Sequence, residues 1–375
     1  MKIKNCRICS GYLYDNPIFT LKNMPKSAQY LPTEKDLGVD LEVCQCSKCG
    51  LVQLNNEPVP YYKEVIRATD VSEEMKTFRR KQFKSFIKEF KLQNKKVIEI
   101  GSGKGEYLEL LNSCGVQGHG IEHKPESTYY CHDRNLNVYP IYLDNPNSSI
   151  PNSPFDAFCI LNFFEHIPNP NNTLEAISHN ISDEAIGLIE VPNFDMMIKH
   201  GLYSEFIGDH LFYFTEKTLS NTLERNGFDI VKSETIWYNY ILSMTVKKRK
   251  TLDLSNFYIQ QDKIAKELHE YINKFSEKRV AVYGAGHQAL AVIALSDIGS
   301  KLKYIVDDAT FKQGKFSPSS HVPIVSSSKL NQDPVDAVII MAASYSDEVA
   351  QKLQNNHYNN IKVAILRQNR LEIIN

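Results

Sequence analysis

The chain has 375 residues, with 43 lysines and arginines against 44 aspartates and glutamates, for a formal net charge of -1. That length exceeds one ordinary hydrophobic core and predicts two or three domains, while the balanced charge excludes a positive field able to hold a phosphate backbone, so no nucleic-acid partner is expected. No signal-peptide core follows Met1 and the most apolar runs, such as Ala337 to Ala343, are strand-sized, so a soluble cytoplasmic protein with no membrane partner is expected.

Residues 1–62 are rich in Cys, Pro, Tyr and Asn, with little helical periodicity, and are expected to form a small loop-rich module. Five of the 8 cysteines fall here, too few and too clustered for a disulfide scaffold. Cys6-x-x-Cys9 and Cys46-x-x-Cys49 are two pairs whose two-residue spacing lets both thiolates of a pair reach one ion from a tight turn. Together they predict a tetrahedral structural zinc site that supplies folding energy to a module with little core of its own. Cys44 is an alternative to Cys46 at a less regular spacing, and Cys114, Cys131 and Cys159 are expected to be ordinary core thiols.

Residues 63–246 form the next expected domain. Met75, Phe78, Phe83, Phe86, Ile87 and Phe90 recur mostly at spacings of three to five, which predicts an amphipathic helix from Val71 to Lys91. Short apolar runs at Lys96 to Ile100, Gly118 to Ile121, Phe155 to Leu161 and Gly187 to Val191 then alternate with helical stretches, the pattern of a mostly parallel sheet. The first strand runs into Gly101-Ser102-Gly103-Lys104-Gly105, a turn that lets a ligand approach the backbone. G-x-G-x-G differs from the G-x-G-x-x-G of a dinucleotide site, and with Glu99 on the strand before it and Glu122 ending the next strand to hold a ribose diol, it points to S-adenosylmethionine. Asn162, Glu165 and His166 follow the Phe155 to Leu161 strand, at the edge where such sheets present their ligands. Glu165 and His166 are candidate catalytic groups, or the capped first turn of a helix.

Residues 247–276 read as a charged break and linker helix, and 277–375 as a second α/β unit with strands at Arg279 to Tyr283, Leu302 to Val306, Ala337 to Met341 and Lys362 to Leu366. Gly284-Ala285-Gly286-His287-Gln288-Ala289, with Asp307 and Asp308 ending the following strand, satisfies a dinucleotide pattern. NAD binding, a place on the substrate side and a purely structural role all stay open for this unit.

The cysteine module, Ile98-Glu99-Ile100-Gly101-Ser102-Gly103, Phe164-Glu165-His166-Ile167-Pro168, Ile189-Glu190-Val191-Pro192, Asp209-His210-Leu211-Phe212-Tyr213, and the pair Lys312-Gln313-Gly314-Lys315 and His321-Val322-Pro323-Ile324 together resemble the nucleotide-deoxysugar C-methyltransferases over nearly the whole chain. The resemblance implies an α/β fold: a Rossmann-like class I methyltransferase domain, preceded by a zinc-binding module and followed by a second Rossmann-like domain that helps to enclose a sugar nucleotide. It implies S-adenosylmethionine and structural zinc as cofactors, a nucleotide sugar as acceptor, and His210, beside Asp209, as the general base. Where several members carry Tyr-x-Glu-His, this chain has Ile207-Gly208-Asp209-His210, without the tyrosine. An oxygen or nitrogen acceptor, whose proton leaves more readily than one on carbon, is therefore an alternative, and a NAD-dependent oxidoreductase or a non-catalytic nucleotide-binding module is an alternative of another class. Tyr61, Tyr62, Arg67 and Tyr213 occupy the positions where the family borders its substrate.

Overall fold

The computed structural model of the protein describes residues 3–26, 31, 33–35, 37–64, 71–355 and 360–375. Two units are present, Met1–Lys250 and Thr251–Asn375. Among the described residues no helix is long and apolar enough to cross a membrane.

The first unit begins with three short strands, β1 (Phe19–Met24), β2 (Val39–Gln45) and β3 (Val52–Leu54), in antiparallel register. Helix α1 (Glu73–Glu89) follows, started by Ser72, whose hydroxyl accepts from the Met75 N–H, and by two acidic residues in its first turn. Arg79, Phe83, Phe86 and Ile87 make its buried stripe. The chain then alternates through β4 (Lys96–Ile100), α2 (Glu106–Ser113), β5 (Gln117–Ile121), α3 (Pro125–Asp133), β6 (Asn137–Tyr139), β7 (Phe155–Leu161), α4 (Pro170–Asn180) and β8 (Ile181–Pro192). Helix α5 (Phe194–His200), the two-residue strand β9 (Phe212–Tyr213), α6 (Glu216–Arg225), β10 (Phe228–Ile236) and β11 (Ile241–Lys248) complete the unit.

Seven strands form one sheet in the order β10-β11-β8-β7-β4-β5-β6. Its five strands from β8 to β6 are parallel, as the alternation of strand and helix predicts, and β4 and β7 have the bounds expected from sequence. The antiparallel hairpin β10–β11 is an addition to that expectation: β10 is largely exposed, so no continuous apolar run marks it. The N-terminal segment is more ordered than a loop-rich module. Its three strands and β9 make a second, four-stranded sheet, so a strand from the middle of the chain completes it. Leu41, Val43, Val52 and Leu54 bury there against Phe194, Met197, Phe206 and Tyr213.

An ion pair with both side chains fully buried ties α1 to the large sheet. Arg79 lies 2.5 Å from Glu190 of β8, Gln82 accepts from Arg79 and donates to Glu190, and Ser243 of β11 donates to the same carboxylate. The guanidinium also sits 4.8 Å from the centroid of the Tyr107 ring.

The second unit opens with α7 (Ser255–Ile272) and continues through β12 (Val280–Tyr283), α8 (His287–Leu295), β13 (Leu302–Val306), β14 (Ile324–Val325), α9 (Lys329–Gln332), β15 (Ala337–Ile340), α10 (Ser346–Asn355), β16 (Lys362–Leu366) and β17 (Leu371–Ile373). Its sheet has the order β14-β13-β12-β15-β16-β17, parallel except for the last pair. All four strands expected from sequence are present, β13 and β16 with the expected bounds.

Candidate functional site

The glycine turn sits where β4 ends. Gly101, Gly103 and Gly105 all have positive φ, at 73°, 55° and 80°. At Gly101 a Cβ would lie 2.6 Å from the Phe163 ring, so only glycine lets the turn close against that side chain, whereas at Gly103 a Cβ would enter open space. Glu122, buried at the end of β5, accepts from the Gly103 N–H at 2.9 Å and from the Lys124 N–H at 3.0 Å. Burial raises its carboxyl, partly offset by these backbone donors. Turn and carboxylate thus meet across two adjacent strands. Glu99 and Ser102 are buried beneath the turn, and Asn162 follows β7 with φ at 51°, its N–H donating to the Glu190 carbonyl.

Beside the turn is a narrow cleft. Glu122, His123, Tyr142 and an apolar wall of Ile121, Ile141 and Leu143 line it. Sequence reasoning missed His123 and the run 141–143. The signal available was that His123 directly follows Glu122 and that the run follows the short strand β6. Tyr62 belongs to this neighbourhood: its ring meets Tyr142 edge-on at 5.7 Å, while Lys63 pairs with Asp144 at 2.8 Å and lies 4.9 Å from the Tyr142 ring centroid.

The second group of side chains gathers around a single turn of 3-10 helix, Phe164–His166. His166 donates from Nδ1 to the Asp209 carbonyl at 2.8 Å, which fixes the tautomer and leaves Nε2 as a bare lone pair. Glu165 Oε1 lies 3.9 Å from His166 Nε2 and 4.0 Å from His210 Nε2, close but beyond hydrogen-bond length. The two imidazoles pack edge-on at 4.7 Å. Burial pushes Glu165 up to about 8 and His166 down to about 4, and burial next to His166 holds His210 well below its usual range. Near neutral pH the cluster is therefore a protonated carboxyl between two neutral imidazoles. Glu165 and His166 are nearly sealed, whereas the His210 side chain keeps 17% of its surface exposed.

Asp209 departs from its expected pairing with His210. Its carboxylate accepts from the Tyr61 hydroxyl at 2.7 Å and its carbonyl holds His166, so the carboxyl group beside His210 is Glu165 instead. Adjacent residues in a loop point their side chains apart, and that direction is set by the contacts around them. Tyr213 is buried with its ring centroid 6.4 Å from that of His210, and its hydroxyl accepts from the Ile207 N–H and donates to the Ile207 carbonyl, closing the 207–213 loop on itself. Arg67 lies outside the described residues.

The Cys6, Cys9, Cys46 and Cys49 sulfurs lie within 4.8 Å of one another, Cys6 to Cys49 at 3.7 Å and Cys9 to Cys46 at 3.4 Å. Cys46, rather than Cys44, completes the set. Backbone N–H groups of Cys9, Gly11, Lys48 and Cys49 point at the sulfurs from 3.4 to 3.5 Å, an arrangement that favours thiolates. Four thiolates at one point fit a tetrahedral soft-metal site. Behind them β3 leads to the second group: the Leu54 N–H donates to the Leu211 carbonyl, and the Leu211 N–H to the Glu165 carbonyl.

In the second unit Asp307 accepts from the Ala285 N–H at 2.7 Å, the Ala309 N–H at 2.9 Å and the Lys312 ammonium at 2.9 Å. These donors hold its carboxyl low against the cost of burial, and all of them would compete with a ribose diol. Lys312 also donates to the Ala285 carbonyl, and Gln313 to the Asp307 carbonyl, so the Lys312–Lys315 stretch braces the glycine turn.

Residues 75–233 match the model of a methyltransferase domain and residues 245–365 that of a C-methyltransferase C-terminal domain. The C-methyltransferase NovU of Streptomyces niveus is 21% identical over 386 aligned positions, covering 92% of this chain and 91% of that protein. Among solved structures, the plantazolicin methyltransferase BpumL in complex with SAH is 18% identical, covering 47% of this chain and 86% of that one with a TM-score of 0.39. An S-adenosylmethionine-dependent methyltransferase from Clostridium acetobutylicum is 12% identical, covering 51% and 96%, also with a TM-score of 0.39.

Proposed function

We propose that this chain, an S-adenosylmethionine-dependent methyltransferase, methylates a carbon atom of a nucleotide-linked sugar, with His210 removing the acceptor's proton. The observation that carries the reading is a partly exposed His210 whose Nε2 lies 4.0 Å from the buried Glu165 carboxyl, beside the tautomer-locked His166, with burial holding His210 below its usual range. Such an imidazole has a free lone pair at neutral pH, as a general base requires.

When bound, S-adenosylmethionine supplies an electrophilic methyl group on a sulfonium. The turn at Gly103, where a Cβ would meet nothing, would receive its methionine arm, Glu122 would exchange the Gly103 N–H for the ribose hydroxyls, and Ile121, Ile141, Leu143 and Tyr142 would hold the adenine. Glu99, Gly101, Ser102, Gly105 and Asn162 shape that cradle from below. On the acceptor side His210 takes the proton from a carbon beside a carbonyl, and Glu165 supplies a hydrogen-bond donor in the same sealed cluster. Displacement in line at the methyl group then depends mainly on alignment.

Carbon is favoured over oxygen or nitrogen because the Tyr61 hydroxyl reaches Asp209, next to the base, and so provides the tyrosine that the 207–210 run lacks. Similarity to a C-methyltransferase along 92% of the chain supports the same choice. Cys6, Cys9, Cys46 and Cys49 would hold zinc in a structural role. The test is incubation with S-adenosylmethionine and nucleotide-linked keto-sugars in deuterated water. Methylation at carbon, and solvent deuterium entering the same carbon without cofactor, are expected for the native protein and not for His210→Asn. A product methylated on oxygen or nitrogen, or no product from any nucleotide sugar by protein that binds the cofactor, would refute the reading.

A further inference from the structure

The loop joining β10 to β11 takes three consecutive residues with side chains through the left-handed region: φ is 47° at Trp237, 58° at Tyr238 and 65° at Asn239. Such backbone is disfavoured for L-residues and persists only where neighbours hold it. Here the Asn193 side-chain amide donates to the Asn239 carbonyl at 2.8 Å, the Asn193 N–H to the Tyr240 carbonyl at 2.8 Å, and the Tyr240 hydroxyl to Glu205 at 2.5 Å. The loop lies beyond the carboxyl ends of the parallel strands, because Ile241 pairs with Pro192 at the end of β8.

Holding this conformation sets the two loop rings at steep angles, one of them against Phe78 of α1. Trp237 meets Phe78 of α1 at 5.4 Å and 61°, and Tyr238 at 5.4 Å and 67°. With Glu73, Glu74 and Thr77 they line an open cavity that shares no residue with the one beside Glu122. Tyr238 is 79% exposed, yet its hydroxyl donates to Glu74 at 2.7 Å, which locks ring and carboxylate together. Glu73 is engaged by Lys76 at 2.7 Å; among the described residues no cation pairs with Glu74.

We propose that this cavity recognises a methylated ammonium group on a small-molecule ligand. The faces of aromatic rings are negative, so inclined rings with a carboxylate at their rim attract a weakly hydrated cation. An anion would be repelled by Glu74, and a neutral apolar group would gain contact area alone.

Trp237 is the only tryptophan of the chain, so its emission reports directly on the cavity. The full-length protein is titrated with choline chloride and with its neutral carbon isostere 3,3-dimethylbutan-1-ol at constant ionic strength. A saturable change with choline is expected, at least about 5-fold weaker with the isostere, accompanied by an upfield shift of the choline methyl protons. Glu74→Gln and Phe78→Leu should each weaken choline binding while calorimetric binding of S-adenosylmethionine, which also certifies folding, is unchanged. Equal responses to choline and isostere, loss of both signals, or undiminished choline binding in folded Glu74→Gln would overturn the proposal.

Discussion

At the scale of single residues, the site owes its chemistry to burial. Burial away from water disfavours charge on each of the three groups, which raises Glu165 and lowers both histidines. For the lowered histidines, stability is fully present above their ordinary value of 6.5 and is lost as pH falls, through about 4 for His166. For the raised Glu165 it is fully present below 4.5 and is lost as pH rises through about 8. The kcat profile should therefore have its acid limb well below pH 6.5 and an alkaline inflection near pH 8 that Glu165→Gln abolishes. An acid limb at the ordinary histidine value would show that the working base is not this buried imidazole. His210→Ala should bind S-adenosylmethionine normally and lose about 10²- to 10⁴-fold in kcat, and normal turnover would remove it from the mechanism. Gly101→Arg and Glu122→Ala should each abolish calorimetric cofactor binding, the first because a side chain there drives into Phe163.

At the scale of elements, α1 is held to the sheet by chemistry that its apolar stripe does not announce. Phe83, Phe86 and Ile87 follow helical spacing and were legible as a buried face; Arg79 on the same face is legible only once Glu190 and Gln82 are seen to meet it. Removing one partner leaves the other charge buried, so Arg79→Ala should cost about 3–5 kcal/mol in denaturant unfolding. A loss near zero would mean that water or a neighbour takes over the carboxylate. Four parallel strands of each large sheet are legible because a strand buried on both faces is a continuous apolar run, whereas the short parallel strands β6 and β14 are not. The half-exposed β10 and the two-residue β9 carry no such signal, and both were missed.

At the scale of the whole molecule, the cysteine cluster and the catalytic candidates belong to one unit, linked from β3 through Leu211 to Glu165. Treatment with a chelator should therefore lower turnover before it weakens cofactor binding, and metal analysis of the untreated protein should return one zinc per chain. Turnover unaffected by complete zinc removal would disconnect the two sites. Sequence alone determined the two parallel sheets, the glycine turn with Glu122, and the four cysteines, because each is written in local spacing or in periodicity that survives in any context. Only the tertiary structure decided which groups face one another: Tyr61 reaches Asp209 across 148 residues of chain, Glu165 takes the place beside His210 expected of Asp209, and Tyr213 turns inward. Side-chain direction in loops is set by packing from distant segments, and no local pattern encodes it.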